Sequence, residues 1–358
     1  MQIAGIAASL HRVPVEVPLL PSRTVRVVVV RIETDDGLVG YGVAGGGFQT
    51  ALVELINRDI GPFVVGRDPL QAEGVGQALE HRFNARGMTG LVSCALSGVD
   101  IALWDLRGKA VGQPTWRLLG GFSASVPAYL TFGLPEYELD QLVEAARLAV
   151  SRGYDRLKMT VDGRTRDIER VTRVREAVGP HVRLMIDANE SFDLLSAVEL
   201  ARKVEPLDIA WFEEPLRGND TAVLAELRRR TSIPIAAGQF EGHRFRLRDL
   251  MLASAVDVVQ TNVLFVGGYT EALKVAHFAD MLRLPIANGG GWAHHNAALL
   301  AAVPNGHGVE MHAWQWTLAE TLYEDPPAAH GGVLTLSDRP GLGLDPRVDL
   351  LRDTQAAR

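Results

Sequence analysis

Short apolar runs that each end in an acidic or amide residue recur through the middle of the chain. Three of them span Val182–Asp187, Ile209–Glu213 and Ile233–Gln239. Their last residues follow one another at intervals of 26 residues. A strand, a loop, a helix and a return loop need about that length, because two parallel strands require a crossover connection. The pattern therefore predicts repeated βα units in which equivalent residues recur once per unit.

The same pattern continues on both sides of this stretch. Lys158 ends an earlier apolar run, and Asn262, Asn288 and Glu310 end three later ones. Helix-like segments separate the runs, at about 166–178, 194–204, 221–230 and 270–281. Polar side chains at the carboxyl ends of successive parallel strands meet at one mouth in a TIM barrel. Three oxygen-bearing side chains there suit a hard divalent cation such as Mg²⁺.

The first 120 residues show a different pattern, that of an α+β unit with its own packing. Strands are predicted at 3–10, 23–34 and 38–43, with a Pro-rich loop at 14–21. Helices are predicted at about 49–59, 69–83 and 89–111. Gly45-Gly46-Gly47 breaks the pattern before the first helix, as suits the hinge of a mobile lid.

Gly120-Gly121 marks the boundary to the barrel, whose first strand is predicted at Val126–Thr131. The βα alternation continues to about residue 320. The predicted fold is thus of the α/β class, a modified TIM (β/α) barrel over 121–320 with an N-terminal α+β capping domain over 1–120. The capping domain is expected to form a lid over the site, and the turn-rich tail, 321–358, is expected to return to it.

Composition narrows the class of protein without identifying it. Of the 358 residues, 47% are hydrophobic, and 36 basic against 43 acidic residues give a mild net charge of −7. No basic tract indicates nucleic acid, and no apolar run approaches the about 18 residues of a membrane helix. The lone cysteine, Cys94, can form no internal disulfide. The absence of a signal-peptide pattern completes the prediction of a cytoplasmic protein that binds neither nucleic acid nor membrane.

Several segments closely resemble the enolase superfamily, specifically its mandelate racemase and muconate lactonizing enzyme branch. The clearest is residues 95–121, ALSGVDIALWDLRGKAVGQPTWRLLGG. Later ones are VREAVGPHVRLMIDAN, WFEEPL, IPIAAG, DVVQTNVLFVGGYTEALKVAHFA and VPNGHGVE. The resemblance spans nearly the whole chain in order and spacing, and it implies a capping domain over a modified TIM barrel. It also implies a homo-oligomer, either a dimer or an octamer.

The resemblance further implies a reaction type. Mg²⁺, with Mn²⁺ as a substitute, is held by one carboxylate from each of the third, fourth and fifth strands. The metal holds the carboxylate of a small-molecule substrate while a base removes the adjacent α-proton. That proton is too weakly acidic for an unaided side chain, and the enolate must be neutralised as it forms. Enolase-type sites combine Mg²⁺ with a Lys or His base.

Two metal ligands match the family pattern and the third departs from it. Asp187 in IDAN and Glu213 in WFEEP match the first two ligands. The family usually has Glu after Ala-Ala-Gly, where this chain has Gln239. An amide oxygen can ligate Mg²⁺ but brings no charge. Glu241 lies two residues on and projects to the same side if the chain stays extended. The third ligand is therefore Glu241, Gln239 or neither.

The bases are altered as well. The family's second strand often reads Lys-x-Lys, whereas this chain has Lys158-Met159-Thr160, and a threonine hydroxyl is a poor general base. Lys158 is expected to neutralise the substrate carboxylate or to act as base itself. On the opposite face, Asn262 stands where the family has the Asp of a His-Asp dyad, and the histidine position falls at Gly289 or Gly290.

Replacement groups for that dyad come from the next segments. His294 and His295 reach the mouth if the glycine loop folds inward, although adjacent helical side chains point about 100° apart, so one of the two at most is expected there. Glu310 matches the electrophilic acid of mandelate racemase, and His312 faces the same way if the strand continues. The remaining candidates contact substrate: Thr160, Asn189, Asn262, Asn288, His243 and His312.

The leading functional hypothesis is dehydration of a sugar acid through a metal-stabilised enolate. Dehydration needs one base and one acid, whereas racemisation needs competent bases on both faces, and both usual positions are changed. The alternatives are a racemase, epimerase or cycloisomerase of a carboxylic acid. A non-catalytic homologue that binds a metabolite is an alternative of another class.

Overall fold

Eight parallel strands close into a barrel, with the last strand paired to the first. The computed structural model describes residues 1–87, 89–164 and 166–356. The barrel strands are β4 (Ser125–Gly133), β5 (Arg156–Thr160), β6 (Arg183–Asp187), β7 (Ile209–Glu213), β8 (Ile235–Ala237), β9 (Val258–Gln260), β10 (Ile286–Ala287) and β11 (Gly306–His312). In-register pairing sets Thr160 beside Asp187 and Asp187 beside Glu213, so the polar strand ends lie at one mouth.

Helices alternate with these strands and cover the outside of the barrel. They are α6 (Leu139–Ser151), α7 (Asp167–Val178), α8 (Leu194–Val204), α9 (Thr221–Arg228), α10 (Arg244–Leu252), α11 (Gly268–Met281), α12 (Ala293–Ala302) and α13 (Ala313–Leu322), with 3₁₀ turns at Glu205–Leu207 and Arg217–Asn219. Asp193 caps α8, accepting a hydrogen bond from Ser196 N at 2.9 Å. Within the described residues, no helix is both long and apolar enough to cross a membrane.

The N-terminal unit consists of an antiparallel sheet against a long helix. Its strands are β1 (Ile3–Val15), β2 (Arg23–Thr34) and β3 (Val39–Ala44), in that spatial order. Its helices are α1 (Gln49–Leu55), a π-helix (Ile56–Ile60), α2 (Gly61–Val64), α3 (Ala72–Gly87), α4 (Leu91–Val111) and α5 (Thr115–Leu118). A Cβ on Gly42 would lie 2.7 Å from Ala102 N, so β3 needs glycine to approach α4 this closely.

The C-terminal tail lies against both other parts of the chain. It holds β12 (Ala329–His330), β13 (Val333–Thr335), which pairs with β4, and α14 (Val348–Thr354). Lys109 of α4 donates to Asp345 Oδ1 at 2.7 Å, and buried Asp105 accepts from Leu342 N at 2.7 Å. These two contacts join the tail to the N-terminal unit.

The predicted fold class is confirmed, while several element boundaries differ. β1 continues to Val15, so Pro14 is in a strand and not in the predicted loop; β1 is an edge strand, where a missing N–H is tolerated. The single helix predicted at 49–59 is α1 followed by a π-helix. The strand predicted over Ile233–Gln239 ends at Ala237, and the chain turns immediately afterwards.

Candidate active site

One lysine ammonium lies among three carboxylates at the mouth of the barrel. Lys158 Nζ lies 2.8 Å from Asp187 Oδ2 and 2.9 Å from Glu310 Oε1, and it also donates to Glu213 Oε1. The four residues come from β5, β6, β7 and β11, and all are buried. Parallel strand ends thus bring together residues up to 152 positions apart in sequence. We name Lys158, Asp187, Glu213 and Glu310 the acidic cluster.

The charge balance of the acidic cluster favours a further cation. When all four groups are ionised, three carboxylates and one ammonium carry two net negative charges on buried side chains. Burial, and then the charge of Asp187, raise the pKa of Glu213 well above its usual range. Burial alone would lower the pKa of Lys158, but attraction to Asp187, Glu213 and Glu310 together raises it. A divalent cation would neutralise the excess charge, which is otherwise costly to bury.

Neighbouring side chains fix the orientation of these carboxylates. Trp211 Nε1 donates to Glu213 Oε2 at 3.1 Å. Thr131 Oγ1 donates to Glu310 Oε1 at 2.5 Å, and the Gly291 backbone N–H donates to Glu310 Oε2 at 2.6 Å. These oxygens of Glu213 and Glu310 are therefore held before any ligand arrives, as a preorganised electrostatic site requires.

A cavity of about 310 Å³ opens beside the cluster. Its wall combines the barrel mouth with Val25, Arg26 and the loop at 44–46 of the N-terminal unit. On the barrel side it is lined by Thr131, Thr160, Asp187, Asn189, Gln239, Phe240, Phe265, Gly290, Trp292, Glu310, His312 and Gln315. Such a half-enclosed cavity with convergent polar groups is typical of a small-molecule site.

Gln239 places an amide oxygen at this site. Its Nε2 donates to Glu214 Oε2 at 2.6 Å, which directs its other amide atom, Oε1, away from Glu214. A Cβ built on Gly289 would collide with Gln239 Oε1 and lie 2.9 Å from Glu213 Oε1. Gln239 Oε1 and Glu213 Oε1 therefore both point at the small space beside Gly289. Burial raises the pKa of Glu214 to about 7, and its bonds to Gln239 and Asn219 oppose that rise.

This oxygen set fits a hard divalent cation. In the described part of the chain, no three His, Cys, Asp or Glu side chains are arranged as a metal centre. A cation here would therefore take Asp187, Glu213 and the amide oxygen of Gln239. Gln260 supports a further group at this place, because both its amide atoms are buried without a hydrogen-bond partner among the described residues.

Glu241 does not line the cavity, contrary to the expectation that it projects beside Gln239. That expectation required an extended chain, but Glu241 N donates to Gly238 O at 3.2 Å, closing a turn. The carboxylate instead pairs with Arg246, its Oε2 lying 3.1 Å from Nε. His243 is also outside the cavity; it caps α10, accepting from Phe245 N at 3.3 Å.

Asn262 and Asn288 brace the glycine loop rather than face the cavity. Asn262 Nδ2 donates to Gly289 O at 2.7 Å, and Asn288 Nδ2 donates to Gly291 O at 2.8 Å. Asn288 Oδ1 accepts from Glu310 N at 2.8 Å. Both amides are buried, so the structure gives them a positioning role where substrate contact was predicted.

His294 and His295 lie in α12 and are turned away from the cavity. His294 stacks on Trp316 and its Nε2 lies 3.0 Å from Pro327 O. His295 Nε2 lies 3.1 Å from the hydroxyl of Tyr323. The glycine loop does not fold in the way that would bring either imidazole to the mouth. Neither imidazole therefore lines the cavity, where one of the two at most was expected.

These two buried histidines predict an acid-sensitive fold. Burial lowers the pKa of His294 to about 4 and that of His295 to about 3, from 6.5 in an exposed chain. Both histidines have a lower pKa in the folded protein than in the unfolded chain. Their contribution to the free energy of unfolding is therefore fully present above pH 6.5 and is lost as the pH falls below it. At about pH 4.5 we expect a loss on the order of 5 kcal/mol in the free energy of unfolding. Urea titrations at several pH values measure it.

The double variant His294→Gln/His295→Gln should show a much flatter pH dependence, whatever its stability at pH 7. His330→Gln, which changes an exposed histidine, is the matched control and should follow the wild type. An unchanged slope in the double variant would mean that other groups cause acid unfolding.

The structure also assigns residues that sequence reasoning missed. Thr131 holds Glu310, and Arg26 and Gln315 line the cavity. Arg26 had one visible signal, a charge inside the apolar run of β2. Thr131 and Gln315 had none, because their roles depend on which elements meet in space.

The fold and the site define a class of protein. Residues 3–120 match the mandelate racemase / muconate lactonizing enzyme N-terminal domain, and residues 141–350 match the enolase C-terminal domain-like family. The chain therefore belongs to the mandelate racemase and muconate lactonizing enzyme branch of the enolase superfamily, as its sequence predicted.

Individual relatives are dehydratases and cycloisomerases. An arabinonate dehydratase of Saccharolobus solfataricus is 31% identical, over 90% of this chain and 89% of its own length. A D-galactarolactone cycloisomerase of Agrobacterium fabrum is 32% identical, over 91% and 90%. The L-talarate dehydratase of Polaromonas sp. JS666, solved with Mg and L-glucarate, superposes with a TM-score of 0.89 at 29% identity, covering 99% of this chain and 97% of that one. These names agree with the predicted chemistry.

Proposed function

We propose that the protein dehydrates a sugar acid through a Mg²⁺-stabilised enolate. The observation that carries the proposal is the acidic cluster. In it, carboxylates from three strands surround the ammonium group of Lys158 beside a cavity of small-molecule size. The named activities of the relatives support the substrate class. In the reaction a proton leaves Cα, the Cβ–O bond breaks, water departs and the resulting enol becomes an α-keto acid.

Asp187, Glu213 and Gln239 would hold the metal, which would neutralise negative charge on the substrate carboxylate as the enolate forms. Lys158 does not itself line the cavity, but its ammonium contacts Asp187 and Glu310, which do, and would supply positive charge close to the same substrate carboxylate. Glu310, fixed by Thr131 and Gly291, lines the cavity and would contact the reacting centre. Thr160 and Asn189 line the cavity and would contact the sugar hydroxyls.

Cycloisomerisation is the second candidate, since two of the curated relatives carry out that reaction. Cycloisomerisation breaks a Cβ–O bond that is part of a ring, whereas dehydration breaks the Cβ–O bond of a hydroxyl group. A racemase is less well supported, because a single imidazole lines the cavity among the described residues. The predicted cytoplasmic location and homo-oligomeric state stay predictions, and neither bears on this chemistry.

The test is to incubate the protein with a panel of aldonic and aldaric acids, with Mg²⁺ or with a chelator. We expect an α-keto acid from at least one of them, only when Mg²⁺ is present. Asp187→Asn should lower the rate by about 10²–10³-fold, since one charged group of a preorganised site is lost. Asp349→Asn, on the exposed surface of α14, is the control. If the protein binds no divalent cation and turns over none of these acids, the non-catalytic alternative would be favoured.

A further inference from the structure

His312 is an imidazole that lines the candidate active-site cavity. It ends β11, two residues after Glu310, and alternation along the strand sets both side chains on the same side. Both line the cavity, together with Trp292 and Gln315. Within the described residues, no other histidine lines it.

The ring of His312 is not committed to a structural hydrogen bond at Nδ1. That nitrogen is buried and has no partner among the described residues. An unpaired buried polar atom costs about 1–3 kcal/mol, which a bound ligand or water can offset. His243 and His295 each have one such nitrogen as well, but those two residues lie outside the cavity.

The other positions where this family carries a base hold no group that is free to act as one. Thr160 Oγ1 donates to Gly133 O at 2.7 Å, and a hydroxyl is a poor base in any case. Lys158 is held as an ammonium by three carboxylates. The family's histidine position falls at Gly289 or Gly290, neither of which carries a side chain; a Cβ at Gly289 would collide with Gln239 Oε1, and Gly290 has a φ of +73°.

We propose that His312 is the proton carrier of the reaction, taking the α-proton and returning it to the leaving hydroxyl on the same face. This rests on the proposed function. The neutral imidazole accepts the proton as the Cα–H bond breaks. The imidazolium then protonates the hydroxyl as the Cβ–O bond breaks, so that water leaves and His312 is neutral again. No other reactant is needed.

The surroundings keep the resting imidazole neutral. Burial, the largest effect, lowers its pKa; Glu310 and Asp187 oppose that change, while Lys158 and Arg23 add to it. A base must be unprotonated, so kcat/KM should fall as the pH drops through this lowered pKa. The same limb of the pH profile should be absent when the ring is removed.

The experiment compares wild type, His312→Gln and His312→Ala in D₂O with Mg²⁺ and a sugar acid that turns over. We expect both variants to lose α-proton exchange and dehydration together, by about 10²–10⁴-fold, the usual contribution of general acid–base catalysis. Mg²⁺ affinity and the melting curve should stay those of the wild type, which shows that the variants fold. Added imidazole should restore part of the activity of His312→Ala, and His330→Gln should behave as wild type.

Two results would overturn this role. If His312→Gln still exchanges the α-proton but no longer dehydrates, His312 only protonates the leaving group. If both reactions persist with a raised KM, it only binds substrate. In either case the proposed function stands. If the wild type neither exchanges nor dehydrates any sugar acid, the proposed function and this inference both fail.

Discussion

Lys158→Met is expected to destabilise the metal-free protein, to tighten Mg²⁺ binding and to abolish most activity. Without the ammonium, Asp187, Glu213 and Glu310 are buried without compensation, which typically costs about 3–5 kcal/mol. The same loss removes a positive charge that contacts two of the proposed metal ligands, Asp187 and Glu213, so the affinity for Mg²⁺ should rise at least about tenfold. Activity should fall by about 10²–10³-fold, because the substrate carboxylate loses its cationic partner.

Thermal unfolding with and without Mg²⁺, calorimetric titration and a dehydration assay measure the three effects. The matched control is Lys203→Met, which removes a lysine paired with Glu199 on the exposed surface of α8. Such a surface pair contributes about 1 kcal/mol at most, so the control should resemble the wild type. A Lys158→Met protein with unchanged metal-free stability and unchanged Mg²⁺ affinity would contradict the proposed charge balance.

Local patterns were sufficient to predict the barrel and the residues fixed by strand ends. The interval of 26 residues predicts equivalent positions for Asp187, Glu213 and Gln239. Asp187 and Glu213 do end their strands and contact Lys158, whereas Gln239 follows the end of β8 by two residues. The segment matches predict the family, which the domain comparisons confirm. These predictions succeed because strand alternation and βα length depend on neighbouring residues.

Loop conformation could not be predicted in the same way. Glu241 was expected beside Gln239, but a turn at Gly238–Glu241 directs its carboxylate to Arg246. One of His294 and His295 at most was expected at the mouth, but the hydrogen bonds of both go to Pro327 and Tyr323 of the tail. Those partners are about 30 residues away in sequence, so a local pattern contains no signal for them.

Gln239→Leu is expected to weaken Mg²⁺ binding by at least about a hundredfold, whereas Glu241→Gln should leave it unchanged. The leucine keeps the volume of the side chain but removes the amide oxygen that converges with Glu213 Oε1. It also leaves Glu214 without the donor that holds it. Losing a metal ligand and the bond that orients it combines two effects that each weaken metal binding. Glu241 is separated from the cavity by its turn and by its pair with Arg246.

A calorimetric titration of Mg²⁺ into wild type, Gln239→Leu and Glu241→Gln tests the metal site most directly. The expected result is tight binding by the wild type and by Glu241→Gln, with weak or no measurable binding by Gln239→Leu. Loss of binding in Glu241→Gln, with Gln239→Leu unaffected, would contradict the assignment of the third ligand. A wild type that binds no divalent cation would contradict the proposed function itself.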